Sequence, residues 1–178
     1  MSEPMCDMSL LEANYRGRPY IEQLGRLEFW QPERVRELTL SHAWGVRVHE
    51  TRYVAPAAMT TDGASIPRVF WRLIDPPLYS LLVLGAVLHD ACYGGICRCT
   101  GPAGDWLPVE KSEADELLRM LALWNGAPQW KADAVWRAVR HFGRGPWESG
   151  HAANAGVDLR LMDYHVPPAL NLPLPSAN

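Results

Sequence analysis

Residues 78–93 read LYSLLVLGAVLHDACY, and this stretch decides the fold. It follows two prolines, is apolar on nearly every side when drawn as a helix, and stops at a pair of glycines. A helix that is apolar on all sides usually lies at the centre of a domain. We therefore predict a central buried helix over residues 78–94, which carries the adjacent polar residues His89 and Asp90.

Two patterns downstream predict further helices. Residues 112–125 place leucine and alanine at helical spacing, and residues 128–142 do the same with tryptophan, alanine and valine. The first of these helices opens with Ser112 and has Asp115 three residues later, which is the spacing of a capping box. We expect the two helices to pack against the central one.

Upstream, residues 35–55 alternate apolar and polar side chains, as a half-buried strand does. We expect a small antiparallel sheet in this region. The predicted fold class is α+β, with a small antiparallel sheet followed by a three-helix core that has a central buried helix.

The ends of the chain lack such periodicity. We expect an N-terminal arm over residues 1–24, one globular domain over residues 25–148 and a proline-rich C-terminal arm over residues 149–178. The prolines of the last segment disfavour both helix interiors and sheet pairing, so we predict that it lies outside the core.

Composition and charge exclude several classes of protein. The chain has 178 residues and a net charge of −3, which argues against a nucleic-acid-binding surface. Its apolar runs are shorter than the roughly 20 residues of a membrane span, so we do not expect an integral membrane protein. The N-terminal segment contains acidic residues and has no apolar core of a signal peptide, which predicts synthesis in the bacterial cytoplasm without export.

One group of residues has the types that general-base chemistry needs. His89 and Asp90 are adjacent, so their side chains diverge by about 100° and should face different partners. Tyr93 follows one turn after His89. If the first two helices pack antiparallel, Asp115 can reach the imidazole of His89 and orient it, as a general base requires. The alternative is that His89 is a satisfied core residue and that Asp115 belongs to a capping box.

The cysteines give a weaker signal. Cys92, Cys97 and Cys99 have the spacing C-x4-C-x-C, whereas zinc sites are dominated by pairs separated by two residues. We interpret them as ordinary thiols of a helix and a loop rather than as metal ligands.

Three segments in order carry a resemblance to a known family. They are TDGASIP at 61–67, LHDACY at 88–93 and KSEAD at 111–115. Together they resemble DUF1353, a family of phage and prophage proteins, and the likeness runs from about Tyr53 to Trp147. This resemblance implies a protein of phage or prophage origin that could be associated with a virion or tail, with other phage structural proteins as partners.

A second resemblance concerns the site. HDxxY followed by a helical Ala-Asp is similar to phospholipase A2, especially the compact form in parvovirus capsid proteins. It implies that His89 is the base and that Asp115 orients it with support from Tyr93. It further implies that Asp90 binds Ca²⁺ together with a loop that contains Asp62 and Gly63.

Two hypotheses of different classes follow. The first is a calcium-dependent ester hydrolase that acts on phospholipid when a phage penetrates or lyses its host. The second is a non-enzymatic virion, tail or assembly component in which the same residues form a structural polar network.

Overall fold

The computed structural model describes residues 20–30, 38–61 and 81–167. Its strands are β1 (Ile21–Leu24), β2 (Phe29–Trp30), β3 (Leu38–Leu40), β4 (Trp44–Val48), β5 (Thr51–Ala55), β6 (Thr60–Thr61), β7 (Arg98–Thr100) and β8 (Trp106–Leu107). Its helices are α1 (Val83–Tyr93), α2 (Lys111–Trp124), α3 (Gln129–Phe142) and α4 (Arg144–Asn154), followed by a short 3₁₀ helix (Leu159–Leu161).

The strands form two antiparallel sheets. The larger has the order β1-β4-β5-β7-β8, and the smaller has the order β2-β3-β6. In the hairpin β4–β5, Val46 lies opposite Tyr53 and Arg47 lies opposite Arg52. Val46 and Tyr53 are buried, whereas Arg52 is exposed. One face of the large sheet therefore faces the core and the other faces outward, as the alternation of side chains predicts.

Helix α1 lies at the centre, as expected. Leu88 packs with the large sheet in one apolar cluster, and Ala86 packs with α2 and α3 in another. The helix has no Cβ at Gly85, and a Cβ there would come within 2.7 Å of the carbonyl oxygen of Leu118. Glycine at this position therefore lets α1 and α2 approach closely.

The predicted α+β class is confirmed, but the sheet is larger than residues 35–55. β1 precedes that range, and β7 and β8 follow the central helix. The added strands have two to four residues each, which is too short to produce a readable alternation. Helix α4 was not predicted, because its sequence RGPWESGHAAN contains two glycines and a proline.

The expected arms are shorter than predicted. Ile21–Leu24 pairs with β4, so the last residues of the N-terminal arm belong to the sheet. Asn154 Nδ2 donates to the Gly94 carbonyl at 2.9 Å, and Tyr164 Oη donates to the Ile96 carbonyl at 2.7 Å. The prediction of an undocked arm is therefore wrong at Asn154 and Tyr164, because their polar side chains bind backbone carbonyls of the core. Residues 1–19 and 168–178 lie outside the described residues.

Within the described ranges, no helix has both the length and the apolar character needed to cross a bilayer.

Candidate functional site

The site lies between α1 and α2, which run antiparallel. Gly85 of α1 meets Leu118, His89 meets Asp115, and the ring of Tyr93 lies 5.5 Å from Lys111 Nζ. As the residue number rises along α1, the number of the contacting residue on α2 falls. This arrangement brings together the three residues that the sequence singled out as base, orienting carboxylate and support.

His89 is fully buried and faces carboxylates on both sides. Its Nε2 lies 3.4 Å from Asp115 Oδ1, and its Nδ1 lies 3.8 Å from Asp90 Oδ1. The second distance is too long for a hydrogen bond, and Nδ1 has no hydrogen-bond partner among the described residues. The side chains of His89 and Asp90 thus lie closer together than the expected angle of about 100° between them on the helix predicted.

Asp115 is the centre of the polar network. Tyr93 Oη donates to Asp115 Oδ1 at 2.6 Å, and Lys111 Nζ donates to Asp115 Oδ2 at 2.7 Å. Arg140 Nε lies 3.8 Å from the same Oδ2. Because the carboxylate is fully buried, the bonds from Tyr93 and Lys111 replace the water that it loses on folding.

The capping-box interpretation of Asp115 is wrong. Helix α2 begins at Lys111, its N-cap is Glu110, and no side chain caps its first turn. Asp115 instead points into the interface with α1, where its three close partners are found. The helix starts one residue earlier than predicted, so Ser112 lies inside its first turn.

The charges of the site shift its pKa values. Burial by itself lowers the pKa of His89, but the contacts with Asp115 and Asp90 outweigh burial and raise it. Burial acts to raise the pKa of Asp115, but the contacts with His89, Lys111 and Tyr93 lower it. Burial and the bond to Asp115 raise the pKa of the Tyr93 hydroxyl. The site therefore favours a charged His89 next to an ionised Asp115.

Asp90 is the only member of the expected calcium set within the described residues. Its side chain is partly exposed, and Thr61 Oγ1 donates to its Oδ2. Asp62 and Gly63 lie outside the described residues. A carboxylate oxygen has the chemistry that Ca²⁺ prefers, but the described residues contain no group of three side chains that could hold a metal ion. Among the described residues, Asp90 therefore fits Ca²⁺ as one ligand of a larger set.

Sequence reasoning missed other residues of the site. Lys111 could have been found, because its spacing of four residues from Asp115 is that of a helical ion pair. The bond from Tyr53 Oη to Glu113 Oε1, 2.6 Å long and buried, joins β5 to α2 and has no local sequence signal. Gly143 lies against the site as well, since a Cβ there would collide with Tyr93 Oη.

The cysteines lie beside the site. Cys92, Cys97 and Cys99 line a cavity of about 520 Å³ together with His151. Contact with Cys97 and burial raise the pKa of the Cys92 thiol. A thiol with a raised pKa is a poor nucleophile at neutral pH, so Cys92 is not suited to covalent catalysis.

Comparison with known proteins gives a family but no activity. The sequence model of the family described as "Protein of unknown function (DUF1353)" matches residues 38–139, more than half of the chain. The chain is also similar to "Uncharacterized protein y4jT" of Sinorhizobium fredii (strain NBRC 101917 / NGR234), with 29% identity over 92 residues. That alignment covers 52% of this chain and 24% of y4jT, so the chain matches about a quarter of its relative's length. No solved structure matches the chain.

Proposed function

The chain belongs to the DUF1353 family, and on that premise we propose that it is a hydrolase in which His89 acts as general base on an ester. One observation carries this proposal. The two ring nitrogens of His89 face different partners, with Nε2 directed at the buried Asp115 and Nδ1 on the side of Asp90.

The chemistry follows from the tautomer that Asp115 favours when His89 is neutral. Its carboxylate accepts the Nε2 proton, so neutral His89 carries its lone pair on Nδ1. Nδ1 can then remove a proton from a water molecule as that water attacks an ester carbonyl. Tyr93 and Lys111 keep Asp115 ionised and in place, so the imidazole is held in one orientation.

Ca²⁺ is part of the proposal. Asp90, with Asp62 and Gly63, would hold the ion beside His89. A bound Ca²⁺ supplies a positive charge that polarises the ester carbonyl and stabilises the oxyanion. Asp90 would then share its carboxylate between the ion and Thr61, which binds Oδ2 and leaves Oδ1 on the side of His89.

We further propose that the substrate is a phospholipid. The protein would then be a phage or prophage protein that acts during penetration or lysis of the host. The resemblance of HDxxY and the later Ala-Asp to the motifs of phospholipase A2 supports the substrate. Trp124, Trp130 and Phe142 are exposed, and aromatic side chains favour the interface between membrane and water.

A second candidate function is favoured by the burial of His89. A fully buried imidazole whose Nε2 faces a buried carboxylate is also what a structural polar network requires. In this case the protein is a non-enzymatic component of a virion, tail or assembly pathway, and the network fixes the packing of α1 on α2.

The decisive experiment compares the wild type with His89→Gln on phospholipid vesicles and on a soluble ester, with Ca²⁺ and with a chelator. We expect His89→Gln to lower the rate by about 10² to 10⁴-fold, which is the usual contribution of a general base. Exposed His141 on α3 provides the matched control, and His141→Gln should retain the wild-type rate.

Asp90→Asn separates the metal from the base. It should lose Ca²⁺ binding in titration calorimetry together with the calcium-dependent part of the rate. A wild-type protein that binds no Ca²⁺ and cleaves neither substrate would exclude the hydrolase and leave the structural role.

A further inference from the structure

Three arginines lie on the outward face of the large sheet, away from the proposed hydrolase site. Arg47 is directly opposite Arg52 in the hairpin, and Thr100 is opposite Arg52 on the next strand. Arg98 is two residues from Thr100 and therefore points to the same face. Like charges placed directly opposite in a sheet are destabilising, so nearby negative charge stabilises this arrangement.

These arginines line a cleft of about 610 Å³, which is the size of a small-molecule site. Arg47 is already neutralised, because its Nε and Nη2 both donate to Glu22 on β1. Arg52 and Arg98 form no ion pair with any residue in the described ranges. Glu50 is the one carboxylate among the described residues of the lining.

Aromatic rings hold Arg98 in place. Its guanidinium lies 5.2 Å from the ring of Trp106 and 5.7 Å from the ring of Tyr164. Tyr164 is itself fixed by its hydroxyl, which donates to the Ile96 carbonyl. Ring contacts stabilise the flat face of a guanidinium and leave its N–H groups available for an anion.

We propose that this cleft binds the phosphate group of a small phosphorylated molecule, with Arg52 and Arg98 as its main ligands. A phosphate dianion matches the two arginines that have no carboxylate partner in the described part of the chain, and the guanidinium fork suits its oxygens. Thr100, which is opposite Arg52 and two residues from Arg98, lies on the same face and also lines the cleft. The net charge of −3 and the small number of unpaired cations in the cleft favour a small ligand over a nucleic acid or an anionic membrane, which bind broad basic surfaces.

The site is independent of the proposed hydrolysis. Tyr53, the neighbour of Arg52 on β5, points to the opposite face of the sheet and binds Glu113 in the core. The arginine cleft and the His89 network are therefore on opposite sides of the same strand.

The test is titration calorimetry on the full chain with inorganic phosphate and with phenyl phosphate, at constant ionic strength. We expect both to bind, and Arg52→Gln and Arg98→Gln each to weaken binding by about tenfold or more. Arg137→Gln removes an exposed arginine on α3 and should leave the affinity unchanged. Arg52→Gln is the sharper variant, because Arg98 also packs on two rings and its loss can lower the melting temperature.

Three further ligands define the outcomes that would overturn the proposal. Acetate should not compete with phosphate, and equal binding of acetate would exclude a phosphate site. Vesicles that contain phosphatidic acid and a single-stranded oligonucleotide serve as alternative ligands. Binding of either one without binding of inorganic or phenyl phosphate, or binding of phosphate that Arg52→Gln leaves intact, would show that the cleft is not a small-molecule phosphate site.

Discussion

Nε2 of His89 on α1 lies 3.4 Å from Oδ1 of Asp115 on α2, and both side chains are fully buried. A buried charged pair is most stabilising when its remaining hydrogen-bonding groups are satisfied. Tyr93 and Lys111 satisfy the carboxylate, whereas Nδ1 of His89 has no hydrogen-bond partner among the described residues. This relationship links the packing of the two helices to the proposed hydrolysis, so the same residues would govern both stability and the proposed activity.

Asp115→Asn should be strongly destabilising. The amide removes the negative charge that faces His89 and Lys111, and it turns one acceptor into a donor. We expect the free energy of unfolding, measured by urea denaturation, to fall by about 3 kcal/mol. Asp133→Asn is the matched control, because Asp133 pairs with Arg119 at a partly exposed position and should cost at most about 1 kcal/mol. Equal losses in the two variants would contradict the central role of Asp115.

Stability should depend on pH at both ends of a window. The pKa of His89 is raised by Asp115 and Asp90 after burial is overcome, so its stabilisation is complete below about pH 6.5 and is lost as the pH rises through the raised value. The pKa of Asp115 is lowered, so its stabilisation is present above about pH 3.9 and is lost as the pH falls through the lowered value. Urea denaturation across this range should show that the free energy of unfolding of the wild type falls as the pH rises through the pKa of His89. His89→Gln should lack this decrease.

Loss of the proton from His89, which should lower stability, should raise the rate of the proposed hydrolysis. Only neutral His89 can act as a base, so activity should increase as the pH rises through the raised pKa of His89. A pH–rate profile of the wild type, paired with an NMR titration of the His89 ring, measures both quantities. A rate that rises below the ordinary pKa of histidine, about 6.5, would assign the base to another group.

Gly85→Ala should loosen the helix pair. Alanine gains about 1 kcal/mol in helix propensity, but its Cβ would lie 2.7 Å from the Leu118 carbonyl oxygen, which cannot move without shifting α2. Overpacking of this kind costs about 1 to 3 kcal/mol, so we expect net destabilisation in thermal and urea unfolding. In α4, a Cβ at Gly145 meets no atom within 4 Å, so Gly145→Ala should be neutral or stabilising. A stabilised Gly85→Ala variant would show that α1 and α2 are not in close contact.

Truncation after Trp147 should lower stability. It removes Asn154 and Tyr164, which donate to the carbonyls of Gly94 and Ile96, and it removes the Asp163 carbonyl that accepts from Ala57 N. Three lost hydrogen bonds at about 1 kcal/mol each predict a loss of roughly 3 kcal/mol. Proteolysis that trims the wild type to Trp147 while its melting temperature is retained would restore the interpretation of this segment as an arm.

The sequence alone was sufficient for the elements whose periodicity is long and regular. The apolar run before His89 predicted the central helix, and helical spacing predicted α2 and α3 to within a few residues. The alternation over residues 35–55 predicted the hairpin β4–β5. These patterns are readable because a buried helix or a half-buried strand fixes the polarity of many successive positions. The grouping of His89, Tyr93 and Asp115 also followed from the sequence once antiparallel packing was assumed.

Only the tertiary structure determined the rest, because it depends on contacts between residues far apart in the chain. The partners of Asp115 across the interface, the bond from Tyr53 to Glu113, and the docking of residues 149–167 have no local pattern. The short strands β7 and β8 have too few residues to specify a strand by themselves. β7 forms on the edge of β5, and β8 then forms on the edge of β7. The register of the large sheet then placed Arg52 and Arg98 in one cleft, a proximity that emerges only when strands distant in sequence are paired.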